Sequence, residues 1–151
     1  METQPLRLRD WAIAGLIALF ALAYALHRID FAAVPYEDAA MLMRYAQNLA
    51  AGHGIVWNIG DPPLDGATDF LFLVSLAGLT RLTGDALTAA RGLTLVAHLL
   101  TVVLLYLGIC RLHGMRWAAV LSGAYLTVGP AVSYSEAGFG TSLFALCALA
   151  A

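Results

Sequence analysis

Lysine is absent from this 151-residue chain and charge of either sign is scarce: all eight basic residues are arginine, and charged residues make up 12% of the sequence. A soluble domain carries about 25% charged residues. With 61% hydrophobic residues and a mean hydropathy of +0.79, too little polar surface remains to keep so much Leu, Ala and Val in water. The same figures exclude a disordered segment, whose composition is polar and highly charged. A net charge of -2 offers no basic field, so DNA and RNA are excluded as partners. Cysteine is nearly absent too. Cys110 and Cys147 each fall inside an apolar run, which fits neither a disulfide-stapled scaffold nor a zinc site with paired ligands, and both read as buried thiols. The chain contains no P-loop, G-x-S-x-G or H-E-x-x-H motif, so soluble nucleotide-binding and hydrolase classes lose their support. What remains is a membrane protein. The sequence predicts an all-α fold: a polytopic transmembrane helical bundle with interfacial juxtamembrane helices in its first outer loop.

A hydrocarbon core of ~30 Å needs about 20 mostly apolar helical residues to cross it. Three charge-free windows meet that requirement. Residues 11–26 lie between Arg7, Arg9 and Asp10 on one side and His27, Arg28 and Asp30 on the other; residues 92–110 lie between Arg91 and Arg111; residues 117–135 lie between Arg116 and Glu136. The predicted spans are therefore 11–27, 92–110 and 117–135, with the start of another at 139 and an outer loop over 28–91. Pro130 is expected to kink or end the third span near its polar end. The Arg7 and Arg9 flank, with Ala23-Tyr24-Ala25 as an A-x-A-like site, also suits a cleaved secretory signal, but an uncleaved anchor is the simpler account. His98, in the middle of a span, reads as a helix-to-helix hydrogen-bond partner. The chain ends at Ala151 inside a hydrophobic run, so the expectation is the N-terminal part of a longer transmembrane domain, inactive by itself.

Residues 70–80 separate Asp69 from Arg81 and are too few to span comfortably. Two topologies follow. If this stretch stays on one side, the Arg111 to Arg116 turn joins Arg7 and Arg9 in the cytoplasm; if it crosses, Arg81 and Arg91 do so instead. The positive-inside count gives four arginines either way. Span length favours the first topology, with the N-terminus inside a plasma membrane of bacterial type.

Most of the negative charge lies in one segment, which holds Asp30, Glu37, Asp38, Asp61, Asp65 and Asp69 but only Arg28 and Arg44. Residues 36–51 have helical periodicity between Val34-Pro35 and Gly52, which is suited to the C′ position by its freedom at positive φ. Glu37, Arg44, Gln47 and Asn48 share one side of that helix, and Leu42, Tyr45, Ala46 and Leu49 the other. Asp38 breaks the pattern by projecting between Tyr45 and Leu49, where a carboxylate needs a partner or a purpose. The bland reading is that Glu37 and Asp38 simply favour the helix N-terminal dipole. Gly52-His53-Gly54-Ile55-Val56-Trp57-Asn58 reads as extended chain leading into turns at Gly60-Asp61-Pro62-Pro63 and Asp65-Gly66, with Thr68 as an N-cap for a short helix starting near Phe70.

Read as one string, Tyr36-Glu37-Asp38-Ala39, Arg44-Tyr45-Ala46-Gln47-Asn48-Leu49, Gly52-His53-Gly54-Ile55-Val56-Trp57-Asn58 and Asp65-Gly66-Ala67-Thr68-Asp69-Phe70-Leu71 resemble the first outer loop of the GT-C polytopic glycosyltransferases. The nearest branch in these motifs is that of the mycobacterial terminal arabinofuranosyltransferases. That loop has an acidic pair, an R-Y-A-x-N-L helix, a G-x-G-L-V-x-N stretch and an E-G-x-T-N-x-L-W helix start. Two motifs depart from the pattern. The family's E-G-x-T-N-x-L-W reads Asp65-Gly66-Ala67-Thr68-Asp69-Phe70-Leu71-Phe72 here, which keeps the acid and the glycine, and its G-L-E-T reads Gly138-Phe139-Gly140-Thr141, so position 140 lacks its acid; Glu136 lies about one helical turn, ~5 Å, away.

The resemblance implies transfer of a sugar from a polyprenyl-phosphate donor to a glycan or other cell-envelope acceptor at the outer face of the lipid bilayer, with Asp38, or else Glu37, as the catalytic acid. Arg44 and His53 are candidates for phosphate contacts, and Asn58, Asp65 and Glu136 complete the expected substrate-binding set. Their bland readings are a snorkelling Arg and solvated loop groups. Glu37 and Asp38, with Glu136, are also candidate oxygen ligands for Mg²⁺ or Mn²⁺. The competing function is a non-enzymatic membrane scaffold or transporter-like subunit whose acidic loop binds a partner or ion.

Overall fold

A computed structural model describes residues 4–30, 33–63, 69–129 and 131–151, except for the side chains of Ser135 and Glu136. The described residues are all-helical, with turns and bends between helices and no strand. Among the described residues seven helices follow in order: α1 Leu8–Arg28, α2 Glu37–Ala50, α3 Phe70–Thr83, α4 Ala86–His113, α5 Arg116–Val128, α6 Ala131–Glu136 and α7 Thr141–Ala150.

Two of them are long and apolar enough to cross a membrane, α1 with 21 residues and α4 with 28. At 1.5 Å per residue they measure about 31 Å and 42 Å, so both are as long as a ~30 Å hydrocarbon core or longer. Their outward faces suit lipid: Leu16, Leu19 and Phe20 of α1 and Val96, Leu100 and Leu104 of α4 are exposed. Threonine hydroxyls inside the helices bond back to the preceding turn, Thr101 to the Ala97 carbonyl and Thr127 to that of Gly123, which satisfies them without water.

The expected span of 92–110 lies inside a longer helix, which begins at Ala86 and carries Arg91 in its second turn. Arg91 is buried and donates from Nη2 to the Ala33 carbonyl at 2.8 Å, so the chain returning from α1 accommodates the charge that the window excluded. Asp85 caps the helix by accepting from the Thr88 backbone N–H at 2.7 Å. Hydrogen bonding from Thr88, through its side chain first and its backbone second, holds the Asp85 carboxyl below the usual carboxylate range. Because the folded-state pKa is lowered, this contribution is present above the unfolded pKa of about 3.9 and disappears as pH falls through the lowered value. Asp85→Ala is therefore expected to cost about 1 kcal/mol at neutral pH. In detergent-solubilised unfolding, the gap between variant and native chain should narrow steadily on acidification below pH ~4.

The third expected span is interrupted. Helix α5 stops at Val128, and α6 starts at Ala131. Gly129 is extended in ψ, at −173°, and a Cβ there would fall 2.5 Å from the Tyr125 carbonyl oxygen, so the chain leaves the helix at a residue only glycine fits. Pro130 lies outside the described residues. The kink or end that the sequence led us to expect at Pro130 thus falls one residue after this break. Helix α7, where a further span was expected, has 10 residues.

Helix α4 is the common neighbour, packed by α1, α3, α5, α6 and α7. One apolar cluster joins α2, α3 and the start of α4 through Ala39, Leu42, Met43, Phe72, Leu73, Leu76 and Ala90. A second joins α1, the end of α4 and α5 through Ala14, Tyr106, Leu107, Cys110 and Ala119. Cys110 is buried as expected, whereas Cys147 is exposed because α7 presents that face outward.

Contacts at the helix ends show which segments lie together. The Gln4 N–H donates to the Arg111 carbonyl at 2.7 Å, and Arg116 Nε donates to Asp10 Oδ1 at 2.8 Å. The Arg111 to Arg116 turn thus sits at the same end as Arg7 and Arg9. Helices α1 and α4 run antiparallel, and the acidic segment occupies the opposite end, where Arg91 meets Ala33. Helix α3 has 14 residues and measures about 21 Å, short of a hydrocarbon core, as its sequence predicted.

Candidate functional site

The acidic segment folds as helix, docked loop and second helix. Helix α2 carries Glu37 and Asp38 in its first turn and ends in a Schellman closure: His53 N–H donates to Asn48 carbonyl at 2.9 Å and Gly52 N–H to Leu49 carbonyl at 3.0 Å, with Gly52 at φ +86°. The loop that follows turns back along α2. Asn48, read from periodicity as part of the polar face, is instead buried, because its amide Nδ2 donates to the carbonyls of Val56 at 2.7 Å and Trp57 at 3.1 Å. Arg44 Nε donates to the same Trp57 carbonyl at 3.2 Å, and the Tyr45 and Trp57 rings meet edge to face at 5.7 Å. Val56 is buried.

Expected site residues therefore divide. Arg44 braces the loop through Nε and keeps an exposed side chain. Asn58 Nδ2 donates to Asp61 Oδ2 at 2.9 Å and so braces a turn. His53 is exposed just past the far end of α2, about 20 Å along the helix from Glu37, too far to share one phosphate with a reaction centred there. Asp65 lies outside the described residues; Glu136 ends α6, and its side chain is likewise undescribed.

At the other end of α2, segments distant in sequence come together. The Tyr36 ring stacks on Phe139 with centroids 6.3 Å apart and planes at 24°. Gly138, at φ +75°, lies so close to α2 and α4 that a Cβ there would stand 2.9 Å from Met43 Cε, 3.6 Å from Ala39 Cβ and 3.8 Å from Ala90 Cβ. Gly140 meets α3: a Cβ there would lie 2.5 Å from Asp69 Oδ2 and 3.1 Å from Phe72 Cβ. The Asp69 carboxylate therefore occupies the space that a side chain at position 140 would need. Residues 36–38, 69 and 138–140 form one acidic, aromatic end of the bundle.

Asp38 does not stand against apolar surroundings. Burial along α2 begins at Ala39; Glu37 and Asp38 are exposed, and neither forms a hydrogen bond or ion pair with the described residues. No group of three or more His, Cys, Asp or Glu among the described residues is arranged to hold a metal ion. In the interior, His98 is buried, and its Nε2 has no hydrogen-bond partner among the described residues, where a helix-to-helix bond was expected. It borders a cavity of about 80 Å³ with Tyr134 and Ser142.

Sequence reasoning missed Asn48 and Asp69. Asn48 had one available signal, an amide followed at 56–57 by a chain able to return to it. Asp69 had none, because its neighbour lies 71 positions later. Comparison with family models, curated proteins and solved structures gives no match to this chain.

Proposed function

We propose that this chain is a membrane glycosyltransferase of the GT-C type, or the N-terminal part of one, that moves a sugar from a polyprenyl-phosphate donor to an acceptor at the outer membrane face. The observation carrying this reading is the convergence of Tyr36-Glu37-Asp38, Asp69 and Phe139-Gly140 at one end of a bundle holding two span-length helices. The motif string that resembles the family supplies the acidic pair and the helix and loop beneath it. In this reading the end bearing Arg7, Arg9, Arg111 and Arg116 faces the cytoplasm and the acidic end faces outward.

The chemistry asks for a base and for stabilisation of a leaving phosphate. Asp38, open to an incoming hydroxyl, takes the proton from the acceptor oxygen as that oxygen bonds to the anomeric carbon. The bond from that carbon to the phosphate oxygen breaks, and the phosphate leaves with the electron pair. Arg44, two turns further along α2, has terminal N–H groups available for phosphate oxygens beyond its Nε bond to the loop.

Membranes bearing the full-length chain should transfer labelled sugar from a polyprenyl-phosphate donor. Asp38→Asn should lower the rate by about 10²–10⁴-fold without reducing the amount of folded protein, because the side chain is exposed and unpaired. Transfer by Asp38→Asn at the native rate would remove Asp38 as the base. A chain that transfers from no such donor, yet retains a partner through the acidic loop on affinity capture, would be a scaffold rather than an enzyme.

A further inference from the structure

A cavity of about 240 Å³ opens between the start of α3 and α7, walled by Phe70, Leu143, Phe144 and Cys147, with Asp69 and Gly140 at its polar end. Gly140 has φ −65° and ψ −4°, a conformation open to any residue, so its backbone does not require glycine. Its missing side chain is explained by the carboxylate: Asp69 Oδ2 lies 2.5 Å from where a Cβ would be. Nor is Asp69 engaged in capping. Although it occupies the N-cap position of α3, its side chain makes no cap hydrogen bond and has no hydrogen-bond or ion-pair partner among the described residues. The fold thus holds an exposed carboxylate, unpaired among the described residues and taking the space of a side chain at position 140, at the head of an otherwise apolar cleft.

We infer that this cleft is a binding subsite for a hydroxyl-bearing head on an apolar stem, an alkyl glycoside in chemical class, with Asp69 accepting hydrogen bonds from the head hydroxyls. A carboxylate repels the phosphate of a donor and attracts hydroxyl donors through charge-assisted bonds. The cavity is smaller than a pocket that encloses a whole drug-sized ligand, about 300–1,000 Å³, and so takes the head and the first carbons of the stem. This assignment rests on the glycosyltransferase reading, in which the cleft serves the acceptor rather than the donor. The alternative role for Asp69 is purely electrostatic, an acid near the N-terminus of α7.

Cys147 on the cavity wall reports occupancy directly, since it is exposed while the other thiol, Cys110, is buried. With the full chain in lipid nanodiscs, the rate of maleimide labelling at Cys147 is measured with n-octyl glucoside below its micelle-forming concentration, with free glucose, and with octanol. Octyl glucoside at ten times its dissociation constant should slow labelling about tenfold, because only the free fraction reacts. Asp69→Ala, and independently Gly140→Ala, which displaces the carboxylate, should return the rate to the unliganded value. Protection by glucose as well, lost in both variants, would support the site with a free sugar as its source. Equal protection by octanol, protection retained in both variants, or no protection of the native chain would overturn the inference. Because no transfer is measured, a failed glycosyltransferase assay would leave a positive binding result standing, and the reverse.

Discussion

Gly138→Val is expected to destabilise the bundle by about 2–5 kcal/mol. Two costs add. At φ +75° a β-branched residue enters the left-handed region, which costs roughly 1–2 kcal/mol. Its side chain must also enter a space where Cβ alone would stand 2.9 Å from Met43 Cε, an overpacking that costs typically 1–3 kcal/mol. Met43 is flexible and can yield, but Ala39 and Ala90, at 3.6 Å and 3.8 Å, close the remaining sides. Thermal unfolding in detergent measures the total, and Gly138→Ala should fall at the low end of the range. The same change should separate Phe139 from Tyr36 and, under the proposed glycosyltransferase activity, lower sugar transfer more than it lowers the yield of folded protein. A valine variant that melts with the native chain would mean that the 137–140 turn is not seated on α2.

The second large effect concerns the opposite end of the bundle. Asp10 is fully buried and accepts from three groups: the Arg7 backbone N–H at 2.8 Å, Arg116 Nε at 2.8 Å and Arg116 Nη2 at 3.3 Å. Arg9 stands further off, at 3.9 Å. Arg116→Ala leaves a buried carboxylate with one close donor, so the melting temperature should fall by several degrees. Arg116→Lys should fall between, since an ammonium cannot reproduce the two-pronged contact. Removing both partners should do less harm than removing Arg116 alone, because the uncompensated buried charge, rather than the lost attraction, causes most of the damage. A double variant Asp10→Ala/Arg116→Ala less stable than Arg116→Ala would contradict this. The pair also fixes topology by tying the start of α5 to the start of α1.

The charge-poor composition set the helical class, because so apolar a chain can satisfy its backbone away from water only through helices or a closed barrel, and the 3.6-residue period was plain over 36–51. The same local logic located the starts of α2 and α3, the glycine that closes α2 and the shortness of α3, all properties of neighbours in sequence. It also expected a kink or end at Pro130, beside the break at Gly129, but its charge-free window left Arg91 out of the fourth helix, since a count of apolar residues does not register a distant carbonyl that accommodates a charge. Only the tertiary structure decided which end of α4 lies beside the N-terminus, that Asn48 is buried under its own loop, that Asp38 stands in the open, and that Asp69 fills the space at Gly140. Each of these depends on contacts between segments separated in the chain, and long-range packing leaves no periodic trace in the residues that take part in it.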